Sequence, residues 1–206
     1  MISRHQHIDL LINLSSFAVF GLVKDLSIED WEEVFDHNIL SATNAIELVY
    51  PAMVSRGQGH IVNLGSIVSD TRQPGSIPFA TSKAFILGLD RSLRPEAKRT
   101  GIDVNLILPG YLPPGIFQQS RTIKANEEDA VKAHTLVQST VEQFAEAILA
   151  GVIRKKRILY FPKFQARFLW FMSHWFPAAL NPLQKRLFKP FYQPPSLASR
   201  THRPPE

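Results

Sequence analysis

Four residues in this chain have types and spacing that could do chemistry: Asn38, Ser66, Phe79 and Lys83. Ser66 offers a hydroxyl, Phe79 follows it by thirteen positions, and Lys83 stands four beyond Phe79. Residues i and i+4 of a helix are neighbours on one face, so the Lys83 amine and the side chain at position 79 sit together. This is the spacing of a Ser/Tyr/Lys proton-transfer site, with a phenyl ring where a phenol is expected. Phenylalanine has no hydroxyl and neither gives nor takes a proton. The pattern therefore reads as a proton-transfer site whose central acid/base is missing.

The elements that must hold these residues follow from apolar runs and their breaks. Residues 8–13, 60–64, 102–108 and 157–161 are short apolar runs of strand length, bounded by turn residues. Ser27 is a helix cap with Glu29 and Asp30 in the first turn, and the apolar spacing from Trp31 to Val49 predicts a helix running toward Pro51. A second helix is predicted from Phe79 to about Arg99, with Pro95 kinking it or marking its last turns. A shorter one spans 140–150, and residues 111–138 read as a polar, irregular segment with helical pieces. Strands alternating with helices argue for a parallel sheet covered on both faces.

Composition narrows the class. The chain has 206 residues, 45% hydrophobic and 20% charged, which suits one globular domain with a sizeable core. It has no cysteine, which excludes disulfides and thiolate metal sites. No apolar run is long enough for a transmembrane helix, and the N-terminus does not read as a signal peptide. A cytoplasmic location is expected. His5 and His7 have metal-like spacing but read as a flexible terminus, so no metal site is expected. Residues 1–150 carry 12 Lys and Arg against 17 Asp and Glu, whereas residues 151–206 carry 11 basic side chains and one acid, Glu206. An acidic body thus joins a basic tail, an asymmetry that can mark an anionic partner.

Asn13 after the first strand, Asn38 in the next helix, Asn63-Leu64-Gly65-Ser66 after the second strand, the Phe79…Lys83 pair and Pro109-Gly110 after the third occur in a fixed order. In this order and spacing the chain resembles the short-chain dehydrogenase/reductase family over residues 8–162. The resemblance implies an α/β fold with a doubly wound, Rossmann-like parallel sheet. It also implies NAD(P)-dependent redox chemistry on an alcohol or ketone, with NAD or NADP as cofactor. In that family a serine holds the substrate oxygen, a tyrosine transfers the proton, a lysine lowers the tyrosine pKa and binds the nicotinamide ribose, and an asparagine anchors a relay water. By position these are Ser66, Phe79, Lys83 and Asn38. Asn13, Lys83, Pro109, Gly110 and Leu112 fall at cofactor-binding positions.

The chain departs from the family pattern at several points. Asn13-Leu14-Ser15-Ser16 stands where the family has Asn-Asn-Ala-Gly, and Leu112-Pro113-Pro114 where it supplies a hydroxyl near the nicotinamide amide. Only twelve residues precede Asn13, with no glycine among them. The expectation is an incomplete sheet lacking the N-terminal glycine-rich strand-turn-helix that holds the pyrophosphate. Two readings follow: an impaired or inactive oxidoreductase, with weak or no cofactor binding, and a non-catalytic binding or membrane-associated relative. Ser66 reads alternatively as a strand-end serine bonding local backbone, Lys83 as an exposed helix lysine, and Asn38 as bonding its own helix.

The tail divides into an aromatic and basic helical segment, 163–189, and a proline-rich terminus, 190–206, expected to be disordered. Phe164, Phe168, Phe171 and Trp175 follow helical spacing among basic residues. They either cap the core or lie in an anionic membrane interface. Other partners left open are a small alcohol or ketone and a second copy of the chain. No nucleic-acid motif is present.

Overall fold

The computed structural model describes residues 7–70, 74–110, 120–124, 140–182 and 185. His5, Leu112, most of the segment 111–138 and the terminus 190–206 lie outside them. In chain order the elements are β1 (Leu10–Asn13), β2 (Val19–Phe20), α1 (Ile28–Phe35), a π-helical turn (Asp36–Leu40), α2 (Ser41–Arg56) and β3 (Gly59–Leu64). A 3-10 turn (Ile67–Ser69), α3 (Ile77–Arg99), β4 (Ile102–Pro109), β5 (Arg121–Thr122), α4 (Val141–Ile153), β6 (Ile158–Phe161) and α5 (Lys163–Trp175) follow.

The main sheet is four-stranded and parallel throughout, in the order β1-β3-β4-β6. Period-two alternation sends β3 side chains to opposite faces. Ile61 joins Ile46, Val49 and Met53 of α2 with Leu93 and Ala97 of α3, while Val62 and Leu64 join Phe144 and Ile148 of α4. Helices therefore cover both faces, as the alternating pattern predicts. Among the described residues β1 is one edge of the sheet, and Leu10 is partly exposed there.

Helix boundaries follow local chemistry. Ser27 and Asp30 form a reciprocal capping box at the start of α1, and Thr140 and Gln143 do the same for α4. Pro51 does not end α2 as expected. The helix continues to Arg56 and is closed by Gly57 in the left-handed conformation, φ 68°. Gly101, φ 78°, makes the turn into β4, and a Cβ placed on it would collide with the carbonyl of Gly57. Pro95 lies in the last turns of α3, where the sequence reading places it. A second, two-stranded parallel sheet pairs β2 with β5, far apart in the chain. Arg121 of β5 pairs with Asp30 and Glu33 of α1, which ties this small sheet to the first helix.

Candidate active site

The site residues converge where β1, β3 and β4 end. Ser66 follows β3 by two positions, Ser15 follows β1 by two, Gly110 closes β4, and the first turns of α3 carry Phe79 and Lys83. The C-terminal ends of parallel strands are where open α/β sheets bind ligands.

Lys83 is almost wholly buried, at 1% exposure. Its Nζ donates to the carbonyl oxygens of Ser15 at 2.7 Å and Leu64 at 3.1 Å, so it straps the ends of β1 and β3 together. An exposed helix lysine it is not. Burial pushes its ammonium down to about 7. The amine lies 5.7 Å from the centroid of the Phe79 ring, as the i, i+4 spacing requires. Phe79 is 2% exposed and belongs to the core cluster with Leu64, Val68 and Phe144. The ring at this position is packing for the sheet's upper edge.

Ser66 is buried and has two local partners. Its Oγ accepts from the Val68 backbone N–H at 3.2 Å, capping the 3-10 turn, and donates weakly to the Pro109 carbonyl at 3.5 Å. The preceding glycine is closely packed: a Cβ on Gly65 would stand 2.9 Å from Leu108 Cδ2 and push that side chain aside. Gly110 donates its N–H to the Phe161 carbonyl at 2.7 Å, and its Cα faces Ala166 of α5 so closely that a Cβ would lie 3.1 Å from it. Pro109-Gly110 thus forms a shelf between Ser66 and α5.

Asn38 has a structural role of longer reach than its own helix. The π-helical turn aims its amide at the loop after β1, where Oδ1 accepts from Phe17 N–H and Nδ2 donates to Phe17 C=O, both at 2.8 Å. Nδ2 also donates to Ser82 Oγ at 2.9 Å, and Ser82 donates to the Phe79 carbonyl at 2.8 Å. Asn38 therefore anchors the first turn of α3 through Ser82.

Asn13 is opposite Asn63 in the β1–β3 register and donates to its Oδ1 at 2.9 Å. Beneath them Asp90 and Arg94 of α3 form a buried ion pair. Burial pushes the Asp90 carboxyl above the usual carboxylate range, against the opposing pull of Arg94 and the Asn63 amide. Asp90 and Arg94 fall on the Phe79–Lys83 face of α3, at i+11 and i+15, so helical spacing alone could have flagged them. Ser82 carried no such signal.

These groups fit one end of a nicotinamide dinucleotide. Ser16 Oγ is buried without a hydrogen-bond partner beside the Lys83 strap, which suits a hydroxyl-rich ligand such as a ribose. Lys83, Asn13 and the Pro109-Gly110 shelf surround the same strand ends. The proton-transfer position does not fit, because Phe79 carries no ionisable group.

The family model for short chain dehydrogenases matches residues 1–125. The chain belongs to the short-chain dehydrogenase family. It is 40% identical over 106 residues to the oxidoreductase UcpA of Salmonella typhimurium, covering 51% of this chain and 40% of that protein. To UcpA of Escherichia coli it is 34% identical over 142 residues, covering 68% of this chain and 51% of the relative. To the 3-oxoacyl-acyl-carrier-protein reductase FabG of Staphylococcus epidermidis it is 30% identical over 112 residues, covering 54% and 46%. The chain thus spans about half the length of the curated relatives it matches. A Streptomyces avermitilis short-chain dehydrogenase superposes with a TM-score of 0.72 at 18% identity, over 90% of this chain and 72% of that one. A Sphingobium yanoikuyae short-chain dehydrogenase in complex with NADPH superposes at 0.65 and 24% identity, over 88% and 65%. At these identities the superpositions speak for the fold alone.

Proposed function

We propose that this chain is a short-chain dehydrogenase relative that binds a ligand at the strand ends without turning it over. One observation carries the reading: Phe79 fills the proton-transfer position and packs into the core. General acid/base catalysis is worth about 10²–10⁴-fold, and Lys83 alone is left to supply it, since Asp90 and Arg94 are paired with each other beneath the strand ends. NAD or NADP, which supplies the hydride when bound in this family, is held weakly. Two of the three Lys83 N–H groups already serve Ser15 and Leu64, so a single donor remains for a ribose. The ligand class carried over from the family is a small alcohol or ketone, and a second copy of the chain is a proposed partner.

The test is a hydride-transfer assay with NADH and NADPH on aliphatic and cyclic ketones, beside calorimetry with each dinucleotide. Turnover at background and dissociation constants of about a millimolar or weaker are expected. Turnover abolished by Lys83→Met would overturn the proposal.

A second reading is favoured by the tail. Phe168, Phe171 and Trp175 do not cap the core; they are 62%, 46% and 64% exposed. Association of 163–189 with anionic membranes is the corresponding proposal, cytoplasmic otherwise. Among the described residues no helix is long and apolar enough to cross a membrane. Co-sedimentation with anionic vesicles at low salt tests it.

A further inference from the structure

Helix α5 has two apolar faces, and only one is used by the domain. At about 100° per residue, Ala166, Leu169, Trp170 and Ser173 fall on one side and Phe164, Phe168, Phe171 and Trp175 on the other. The first set is docked. Ala166 is fully buried with Ile67 and Leu108 and abuts Gly110, Leu169 and Trp170 pack on the same cluster, and the Trp170 ring lies 6.2 Å from that of Tyr160. The second set forms an outward ridge in which Phe164 is 82% exposed, and Phe176 extends it.

Charge is arranged along that ridge. Lys163 and Arg167 share one flank of the helix, and residues 163–176 contain no acid. Lys163 Nζ rests 5.6 Å from the Phe164 ring centroid, and His174 Nδ1 is 3.9 Å from Asp70 Oδ2. An aromatic ridge beside a cationic flank suits a surface that is apolar at depth and anionic at its border, with rings at the acyl boundary and cations among headgroups.

Resting on the membrane reading of the tail, we infer that α5 lies in the plane of an anionic phospholipid bilayer with Phe164, Phe168, Phe171 and Trp175 inserted. Ala166, Leu169, Trp170 and Ser173 stay docked on the sheet. The helix then holds the Pro109-Gly110 shelf and Ser66 at the lipid surface.

The three tryptophans, Trp31, Trp170 and Trp175, supply the test. The full chain is mixed with vesicles of phosphatidylcholine and phosphatidylglycerol, with and without brominated acyl chains, and both sedimentation and tryptophan quenching are read. Quenching by the brominated lipid is expected, most of it lost in Trp175→Phe and retained in Trp170→Phe. Lys163→Gln/Arg167→Gln should weaken binding roughly tenfold or more at low salt. Sedimentation with quenching that depends on Trp170 instead would overturn the orientation and leave membrane association standing. Sedimentation without quenching would overturn insertion. No sedimentation of a folded sample, checked by circular dichroism, would overturn both readings.

Discussion

The Lys83 ammonium nitrogen stands 5.7 Å from the centre of the Phe79 ring, one helical turn away, while its N–H groups point at the carbonyls of Ser15 and Leu64. The amine holds two strand ends together beside a ring that carries no hydroxyl.

Phe79→Tyr should therefore not create a working enzyme. The new hydroxyl enters a cluster that is 2% exposed at this position, and a buried hydroxyl without a partner costs about 1–3 kcal/mol. The neighbouring amine, with a pKa of about 7, is half neutral at that pH and favours a phenolate weakly. A lower unfolding midpoint in urea and background hydride transfer are expected. Robust turnover in this single variant would show that the rest of the site is competent and that Phe79 alone keeps the chain inactive.

The buried amine also makes stability depend on pH. Lys83 titrates at about 7 in the folded chain and near 10.5 unfolded. Between those values the unfolded state binds more protons, so this group makes stability rise with pH across the window, by up to about 1.4 kcal/mol per unit. Urea denaturation of wild type at pH 7 and pH 9 should show the rise, and Lys83→Met should lose it. An unchanged slope in the variant would place the titration elsewhere.

Asn38→Ala should destabilise the fold strongly. It removes three buried hydrogen bonds and leaves the Phe17 N–H and C=O unmatched, each worth about 1–3 kcal/mol. The thermal midpoint should fall by many degrees. Asn38→Asp keeps the acceptor for Phe17 N–H but loses the donors, so it should recover little.

Arg94→Ala should leave Asp90 charged and buried without its cation, at a loss of about 3–5 kcal/mol. A raised carboxyl pKa means the folded state binds the extra proton just above the ordinary carboxylate range, so stability falls as pH rises through that window. The gap between wild type and Arg94→Ala should therefore shrink toward acid pH. A gap that is constant from pH 4 to 7 would show that packing, not charge, sets the loss.

Much of this was legible in the sequence. The four main strands fall where the apolar runs place them, because buried parallel strands need continuous hydrophobic stretches bounded by turns. One proline misled: Pro51 reads as a helix end, yet α2 absorbs it and stops at Gly57. The β2–β5 pair left no trace, since two residues are too few for alternation and their partners lie a hundred positions apart. In the site, the Phe79–Lys83 contact follows from spacing alone, whereas the bonds of Asn38 to Phe17 and Ser82 depend on how a π-helical turn aims one amide. The tail's aromatic stripe is real, but periodicity cannot say which of two stripes faces inward. Here the smaller one, begun by Ala166, does.

The two glycines at the lower edge of the sheet have the same backbone sign but unequal freedom to change. Nothing lies within 4 Å of a Cβ on Gly57, so asparagine, which tolerates φ 68°, is a viable successor there. At Gly101 the same exchange would drive Cβ into the Gly57 carbonyl, a backbone atom that no rotamer can move aside. A library of random substitutions should retain Gly57→Asn and be swept clean at Gly101. Sequence drift in this lineage is thus open at one turn and closed at the turn it touches.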